Sequence, residues 1–200
     1  MNDRKYQSIK TLVHNCCFGK IDVDKLPLFD IEYIFLQIRA KSVGEVSTIE
    51  VTCPDDEETK VKVEVDLTTI KVEMDEEHSP RIQLTDDIGL LMQYPTLASI
   101  LAMGIEEDVN VPSTTASINK MFGMMQDCMY QIWQGEETFD AMDYSGKEKK
   151  DFLESLNHTQ FEKIQNFFDT MPTVKHKVEV TNPKTKVKST VTIEGMNSFF

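Results

Sequence analysis

One short helix, bounded at both ends, constrains the fold of this chain more than any other stretch. Asp30 stands where an N-cap is expected, and Gly44 stands where a left-handed C-terminal cap is expected. At about 100° per residue, the apolar side chains between them fall on two opposite strips. The first strip holds Ile31, Ile34, Phe35 and Ile38, and the second holds Tyr33, Leu36 and Ala40. A helix that is apolar on two sides usually lies between two layers, so we predict a central helix over residues 30–43.

The two strips lead to different expectations. We expect the first strip to be core and the second to be divided between a C-terminal sheet and a partner protein. Residues 1–29 are predicted to form an N-terminal lead-in, because Pro27 disfavours helix in the residue before it and so delays the helix until Asp30.

The spacing of apolar residues changes from about 3.6 to 2 after Gly44. Val61, Val63, Val65 and Leu67 alternate with charged residues, which predicts a first β-hairpin over residues 46–72. The same alternation returns near the end of the chain and predicts a C-terminal hairpin over residues 174–194. We expect both hairpins to lie in one sheet.

The middle of the chain, residues 84–171, is predicted to be mostly helical. N-cap residues and helix-ending Gly or Pro residues predict three helices: residues 88–94, residues 96–103 before Gly104, and a longer helix from Ser113 or Thr114 to about Gln134. Two further helices each begin with a capping box, one at Ser145 and Glu148 and one at Thr159 and Glu162. The fold class that follows is α+β, a single domain over residues 1–200 with two β-hairpins flanking a mostly helical middle.

The two hairpin turns echo each other. Val51-Thr-Cys-Pro54 and Val180-Thr-Asn-Pro183 are each followed by Thr-Lys-Val-Lys, at residues 59–62 and 185–188. The offsets are 129 and 126 residues, which makes the first turn three residues longer. Either a duplicated unit or shared turn chemistry explains the echo.

The charge of the chain limits its partners. A net charge of -13 argues against nucleic acid, because a phosphate backbone requires clustered Lys and Arg. Residues 172–192 nevertheless carry five lysines and one glutamate, a local charge of +4, which leaves -17 for the remainder. No secretory signal and no apolar run long enough for a membrane span is visible. We therefore expect no membrane partner, and a C-terminal segment that can dock on an acidic surface.

The sequence carries no motif for catalysis. Cys16, Cys17, Cys53 and Cys128 form no CxxC pair, and we predict reduced thiols, typical of a cytoplasmic protein. His14 with Cys16, Cys17 and Cys53 comes nearest to a zinc set, whereas buried thiols and a surface imidazole are the simpler interpretation. We predict no catalytic, cofactor-binding or metal-binding residue and no small-molecule substrate. The alternative is a regulatory or nucleic-acid-binding module that uses the cysteines to bind zinc.

Methionines offer a second candidate contact surface. Met121, Met125 and Met129 recur at helical spacing, and thioethers repack easily against different partners. A core stripe is the competing interpretation of the same pattern. The candidate partner interface therefore combines two sets, Tyr33, Leu36 and Ala40 with Met121, Met125 and Met129.

The central stretch also carries a family resemblance. Leu28-Phe-Asp-Ile-Glu-Tyr-Ile-Phe-Leu-Gln-Ile-Arg-Ala-Lys-Ser-Val-Gly-Glu45, followed by Val51-Thr-Cys-Pro54 and by Ile193-Glu-Gly-Met-Asn-Ser-Phe-Phe200, resembles the T4-like bacteriophage baseplate protein family, most closely its baseplate hub subunit. The likeness extends from about residue 16 to residue 200. Some members look as if they carry a CPxC-like pair in the first hairpin, where this chain has Cys53-Pro-Asp-Asp56.

The resemblance implies a non-enzymatic role in building the hub of a contractile tail. The chain is then a structural subunit of the hub or a chaperone-like assembly factor, with other baseplate hub and tail proteins as its partners. It is expected in the host cytoplasm during assembly and in the tail baseplate of the virion.

Overall fold

Six α-helices and nine β-strands occupy the residues that the computed structural model describes, which are 2–103 and 115–199. The helices are α1 (Asn2–Cys16), α2 (Leu28–Ser42), α3 (Leu97–Met103), α4 (Thr115–Cys128), α5 (Gly146–Ser155) and α6 (His158–Thr170). The strands are β1 (Val46–Thr52), β2 (Lys60–Asp66), β3 (Lys71–Glu73), β4 (Arg81–Gln83), β5 (Ile88–Met92), β6 (Met129–Gln134), β7 (Glu137–Asp140), β8 (Thr173–Thr181) and β9 (Lys188–Glu194). The α+β class is confirmed, with hairpins β1–β2 and β8–β9 on either side of the middle.

Internal contacts divide the chain into two compact units. The hairpin unit contains Lys5–Val23, Phe29–Met74 and Pro172–Phe200, and the sheet unit contains Met1–Arg4, Asp24–Leu28 and Asp75–Met171. The predicted lead-in contains α1 and a 3₁₀ turn at Val23–Lys25. Single-domain organisation stays a prediction.

Helix α2 begins two residues earlier than the sequence predicts. Asp30 therefore lies in the first turn and is not the N-cap. A carboxylate in this position still favours the helix, because the first turn exposes unpaired N–H groups. Gly44 follows the helix with a φ of +151°, which L side chains rarely adopt, but which is not the left-handed helical value that a C-cap requires.

In the hairpin unit the second strip of α2 packs on the C-terminal sheet, as expected, but it is also more deeply buried than the first strip, which was expected to be the core. Leu36 and Ala40 are buried, whereas Ile34, Phe35 and Ile38 are only partly buried. Of the first strip, Ile31 alone is fully buried. Around Leu36 and Ala40 lie apolar side chains from both hairpins and the segments that follow them: Ile49, Val65, Leu67, Ile70, Val174, Val178, Val180, Ile193 and Phe199.

The expectation that both hairpins share one sheet is wrong. Strands β1 and β2 form a two-stranded sheet, and the other sheet has the order β3-β8-β9. The first hairpin also ends at Asp66, because the Asp66 carboxylate caps a 3₁₀ turn at Leu67–Thr69 by accepting a hydrogen bond from Thr68 N–H at 2.9 Å. After this turn β3 pairs with β8.

The sheet unit contains an antiparallel sheet of order β4-β5-β6-β7 that the sequence analysis missed. Residues 88–92 were predicted as helix and instead form β5, an inner strand. A short apolar run fits a buried strand and a buried helix equally well, so its period cannot distinguish them. Gly89 favours the strand, because its missing side chain leaves room for the indole of Trp133 on the paired strand.

The predicted helix up to Gln134 is wrong at its C-terminal end. Helix α4 ends at Cys128, and the next six residues form β6. Aromatic and β-branched side chains at Tyr130, Ile132 and Trp133 favour a strand, because they pack well on a pleated surface. Gly135 has a φ of +60° and turns the chain into β7, so it ends a strand and not a helix. The predicted stop at Gly104 and start at 113–114 lie outside the described residues.

Of the two predicted capping boxes, the first is confirmed and the second lies at different residues. Ser145 and Glu148 form the predicted box at the start of α5. Helix α6 begins at His158, where Asn157 and Gln160 form the box in place of Thr159 and Glu162. Asparagine is as good an N-cap as serine or threonine, so Asn157 competes with Thr159 for this position and the helix begins earlier.

The buried core of the sheet unit is rich in sulfur, and most of the aromatic side chains packed against it are only partly buried. It contains Ile82, Leu84, Leu90, Met92, Met125, Cys128, Met129, Ala141, Leu153, Ile164 and Phe167. Burial raises the pKa of the Cys128 thiol to about 12, so this cysteine stays a neutral apolar group.

Within residues 2–103 and 115–199, no helix has the length and hydropathy to cross a membrane.

Candidate interaction surfaces

The two hairpins of the hairpin unit have ladders of the same length and the same burial pattern on their return strands. Each ladder has seven residue pairs, from Val46–Asp66 to Thr52–Lys60 in the first hairpin and from Lys175–Glu194 to Thr181–Lys188 in the second. The return strands β2 and β9 bury their inner side chains in the same alternation, with Val65 and Ile193 the fully buried members.

The turns of the two hairpins also match. The N–H of Glu57 donates to Cys53 C=O at 3.0 Å, and the N–H of Lys186 donates to Asn182 C=O at 2.9 Å. Glu57 and Lys186 both have a positive φ, at 56° and 66°. The first turn contains residues 53–59 and the second 182–187, so it is longer by one residue and not by three. The Thr-Lys-Val-Lys segments are not at equivalent positions, since Lys60 begins β2 whereas Lys186 lies within the second turn, so both interpretations of the sequence echo stay open.

A polar clasp joins the two turns. Nδ2 of Asn182, an almost fully buried side chain, donates to both carboxylate oxygens of Asp55 at 3.0 Å. The hydroxyl of Thr185 donates to Asp55 as well. Oδ1 of Asn182 accepts the N–H of Lys184 at 2.8 Å, so Asn182 holds its own turn and the neighbouring one. We refer to Asp55, Asn182 and Thr185 as the clasp.

The clasp favours charged carboxylates. Hydrogen bonds from Thr185 and Asn182 lower the pKa of Asp55. The neighbouring Asp56 has its pKa lowered mainly by the hydroxyl and N–H of Thr59, which donate at 2.5 and 2.9 Å. Burial, followed by the charges of both aspartates, raises the pKa of the Cys53 thiol. A neutral thiol beside hydrogen-bonded carboxylates is a structural arrangement and not a nucleophile.

The predicted contact residues of α2 are mostly core residues. Leu36 and Ala40 are buried among side chains of both hairpins, including the C-terminal sheet that was one of their two expected contacts, and neither is exposed for the other, a partner. Tyr33 is partly buried and packs against the same core. The two-sided hydrophobic pattern did not indicate which strip was the more deeply buried, and the position of α2 between two layers stays a prediction.

The methionine stripe divides in a similar way. Met125 and Met129 are buried in the sheet unit, whereas Met121 on α4 is 38% exposed. The core interpretation therefore applies to two of the three residues. Contact with a partner through Met121 stays a prediction.

The zinc alternative finds no support in the geometry. Among the described residues, no group of three or more His, Cys, Asp or Glu side chains could hold a metal ion. Cys53 is buried in its turn, and the matching turn has Asn182 at the equivalent position. The chemistry of the two turns is that of a hydrogen-bonded clasp.

His78 lies in the segment between β3 and β4 and contacts side chains of the sheet unit. Its ring nitrogens lie 2.9 Å from Thr170 Oγ1 and 3.0 Å from the hydroxyl of Tyr94, and its ring stacks on Tyr94 and tilts against Phe167. Burial lowers the pKa of His78. Thr170, Tyr94 and Phe167 are distant from His78 in sequence or carry no motif with it, so the sequence alone does not reveal these contacts.

Exposed apolar side chains mark surfaces that sequence reasoning missed. Phe18 is 84% exposed just after α1, and Met142 is 78% exposed in the 3₁₀ turn after β7. Neither belongs to a periodic stripe, so helical or strand spacing could not reveal them. The available signals were local: Phe18 precedes Gly19 at a helix end, and Met142 stands between acidic residues.

Comparison with known proteins identifies one family. The family model described as T4 bacteriophage base plate protein matches residues 2–200. No curated protein and no solved structure gives a significant match.

Proposed function

The chain belongs to the T4 bacteriophage base plate protein family, and on this premise we propose that it is a component of the baseplate hub. In this role it is a structural subunit or a chaperone-like assembly factor, and it acts through protein contacts without catalysing a reaction. The observation that carries the proposal is the family match over nearly the whole chain, because it includes both hairpins and the helical middle.

The geometry of the hairpin unit supports a contact role. Two hairpins with ladders of the same length are fastened at their tips by the clasp, and their strands pack on a shared core with α2. Such an arrangement presents a fixed surface, and fixed surfaces lose little conformational entropy on binding. The second hairpin is also the basic one, and Lys184, Lys186 and Lys188 are exposed at its turn. An acidic face of a hub or tail protein is its expected partner.

The proposed places of action follow from assembly. The chain meets its partners in the host cytoplasm, and its membership of a base plate protein family supports a final place in the tail baseplate of the virion. Tyr33 and Met121 are the members of the predicted interface that keep accessible surface, and we retain them as proposed contact residues.

A phage with a stop codon in this reading frame tests the proposal. Without the chain, infected cells should accumulate tail parts that lack a complete hub, and supplying the wild-type chain from a plasmid should restore tails. Negative-stain microscopy and plaque counts are the readouts. Normal numbers of infectious tails without the chain would contradict a hub role.

Metal analysis of the purified chain is the companion measurement. We expect no stoichiometric zinc. One zinc per chain, lost together with folding on chelation, would instead support the zinc-dependent alternative.

A further inference from the structure

Phe18 is presented to solvent by a fixed backbone. Its N–H donates to Asn15 C=O at 3.0 Å, and the neighbouring Gly19 N–H donates to His14 C=O at 3.0 Å. Phe18 itself has a φ of +57°, a conformation that is unfavourable for a bulky residue. These two hydrogen bonds form the cap that ends α1 and account for the left-handed backbone at Phe18, and the phenyl ring that this backbone carries is 84% exposed.

Two further exposed side chains lie beside this ring in the chain. Leu12 and Cys16 are four residues apart on the exposed side of α1, whereas Ile9 and Val13 are buried. We call Leu12, Cys16 and Phe18 the aromatic knob. Residues 7–20 around it carry two cations, Lys10 and Lys20, and no carboxylate, in a chain with a net charge of -13. The exposed Lys20 is the nearest of these cations in sequence to Phe18.

The sheet unit presents a surface of opposite character. Met142 is held by the turn that Asp140 caps, where Met142 N–H donates to the Asp140 carboxylate at 2.9 Å. Tyr130 and Tyr144 are exposed apolar neighbours of this turn in β6 and just after it. We call Met142, Tyr130 and Tyr144 the methionine patch. Residues 136–143 carry four carboxylates and no cation, and the next cation along the chain is Lys147.

We propose that the aromatic knob of one copy docks on the methionine patch of a second copy. An aromatic anchor fits a thioether surface well, because methionine adapts its shape and sulfur contacts aromatic rings favourably. The charges near the two surfaces in sequence, cations beside the knob and carboxylates beside the patch, are complementary and would orient the encounter. Since the two surfaces differ, the contact is head-to-tail, and each docked copy keeps one unused surface for the next.

The observations favour a second copy over a lipid surface. The apolar face of α1 that a membrane would require is already used inside the protein, because Ile9 and Val13 are buried. Three exposed side chains are also too small a patch for stable lipid binding. The inference extends the proposed function but does not depend on it, since the test uses the purified chain alone.

Sedimentation velocity over a wide range of protein concentration tests the proposal. Phe18→Asn removes the ring and suits a left-handed backbone, and Met142→Ser removes the thioether from an exposed position. Each should weaken self-association about tenfold or more, as expected for a hot-spot residue. The matched control is Val43→Ser, an exposed apolar residue outside both surfaces, which should associate like wild type. Circular dichroism verifies that all variants fold.

Mixing the variants gives the decisive result. The Met142→Ser copy keeps its knob and the Phe18→Asn copy keeps its patch, so an equimolar mixture should form dimers and stop there. The proposal is overturned by a wild-type chain that stays monomeric, by association that Phe18→Asn leaves unchanged, or by a mixture that fails to dimerise. Flotation of wild type, but not Phe18→Asn, with anionic vesicles in the absence of self-association would also overturn it.

Discussion

Leu36→Ala in α2 should destabilise the hairpin unit strongly. The Leu36 side chain is fully buried among side chains from both hairpins. The substitution removes three carbon atoms, which costs about 2.5 kcal/mol of burial, and the cavity left behind raises the total to about 3 kcal/mol. This loss is large against the ordinary stability of a domain, about 5–15 kcal/mol.

Amide hydrogen exchange measured by mass spectrometry can locate this loss. Peptides covering β1, β2 and β8 should exchange about a hundredfold faster in Leu36→Ala, because each 1.4 kcal/mol is about a factor of ten in an opening equilibrium. The fluorescence of Trp133, the chain's one tryptophan, reports separately on the sheet unit during urea unfolding.

The matched control is Val43→Ala, an apolar residue that is 74% exposed just beyond the helix. It should change stability by less than about 0.5 kcal/mol. If Leu36→Ala behaves like the control and alters only association with another protein, the reasoning is refuted and the second strip of α2 is an interface.

Other substitutions test the remaining structural claims. Gly89→Ala should cost about 1–3 kcal/mol in urea unfolding, since the new Cβ overlaps the Trp133 indole, and adding Trp133→Leu should recover part of the loss; an additive double variant would argue against the overlap. Asn182→Ala should cost about 2 kcal/mol, because it removes bonds to Asp55 and to its own turn; an unchanged urea midpoint would contradict the clasp. The lowered pKa of Asp55 means that its stabilising effect is present above the ordinary aspartate value of 3.8 and is lost as the pH falls toward the folded-state pKa. The free energy of unfolding should therefore decline less steeply below that pH in Asp55→Asn than in wild type. Equal slopes in the two proteins would contradict a stabilising contact of the Asp55 carboxylate. Ser145→Ala should remove about 1 kcal/mol through the lost cap of α5, visible as faster amide exchange in its first turn, and unchanged exchange there would count against the cap.

Strict alternation made the hairpins predictable from sequence. Val61, Val63 and Val65 face one side of a strand whatever surrounds them, since the strand period is two. The echo of the two turns was also visible, because both turns begin with Val-Thr and have proline at the fourth position, and proline restricts turn geometry locally. The hydrogen bonds between Asn182 and Asp55 could not be predicted from the sequence, since nothing in either turn indicates that the other lies beside it.

The sheet of the middle segment could not be predicted for a different reason. The run that became β5 is five residues long, and periodicity over such a length is compatible with either element. Its identity as an inner strand depends on partners in β4 and β6, and the contact between Gly89 and Trp133 joins residues far apart in sequence. Tertiary packing decided the structure where local preference was balanced.

The contact surfaces were the least predictable part. Leu36 and Phe18 are both large apolar residues, yet one is fully buried and the other is 84% exposed. A hydrophobic pattern reports only that a side chain is apolar, and burial depends on what else folds against it. Phe18 became recognisable only when the backbone after α1 was known.

A mass-spectrometric inventory of purified virions and of hub complexes from infected lysate tests the central claim most directly. A baseplate hub component should be found in lysate complexes together with other tail proteins, and in virions as well if it is a structural subunit. Presence in the complexes but not in virions would identify an assembly factor. Absence from both would contradict the claim that the chain builds the baseplate hub.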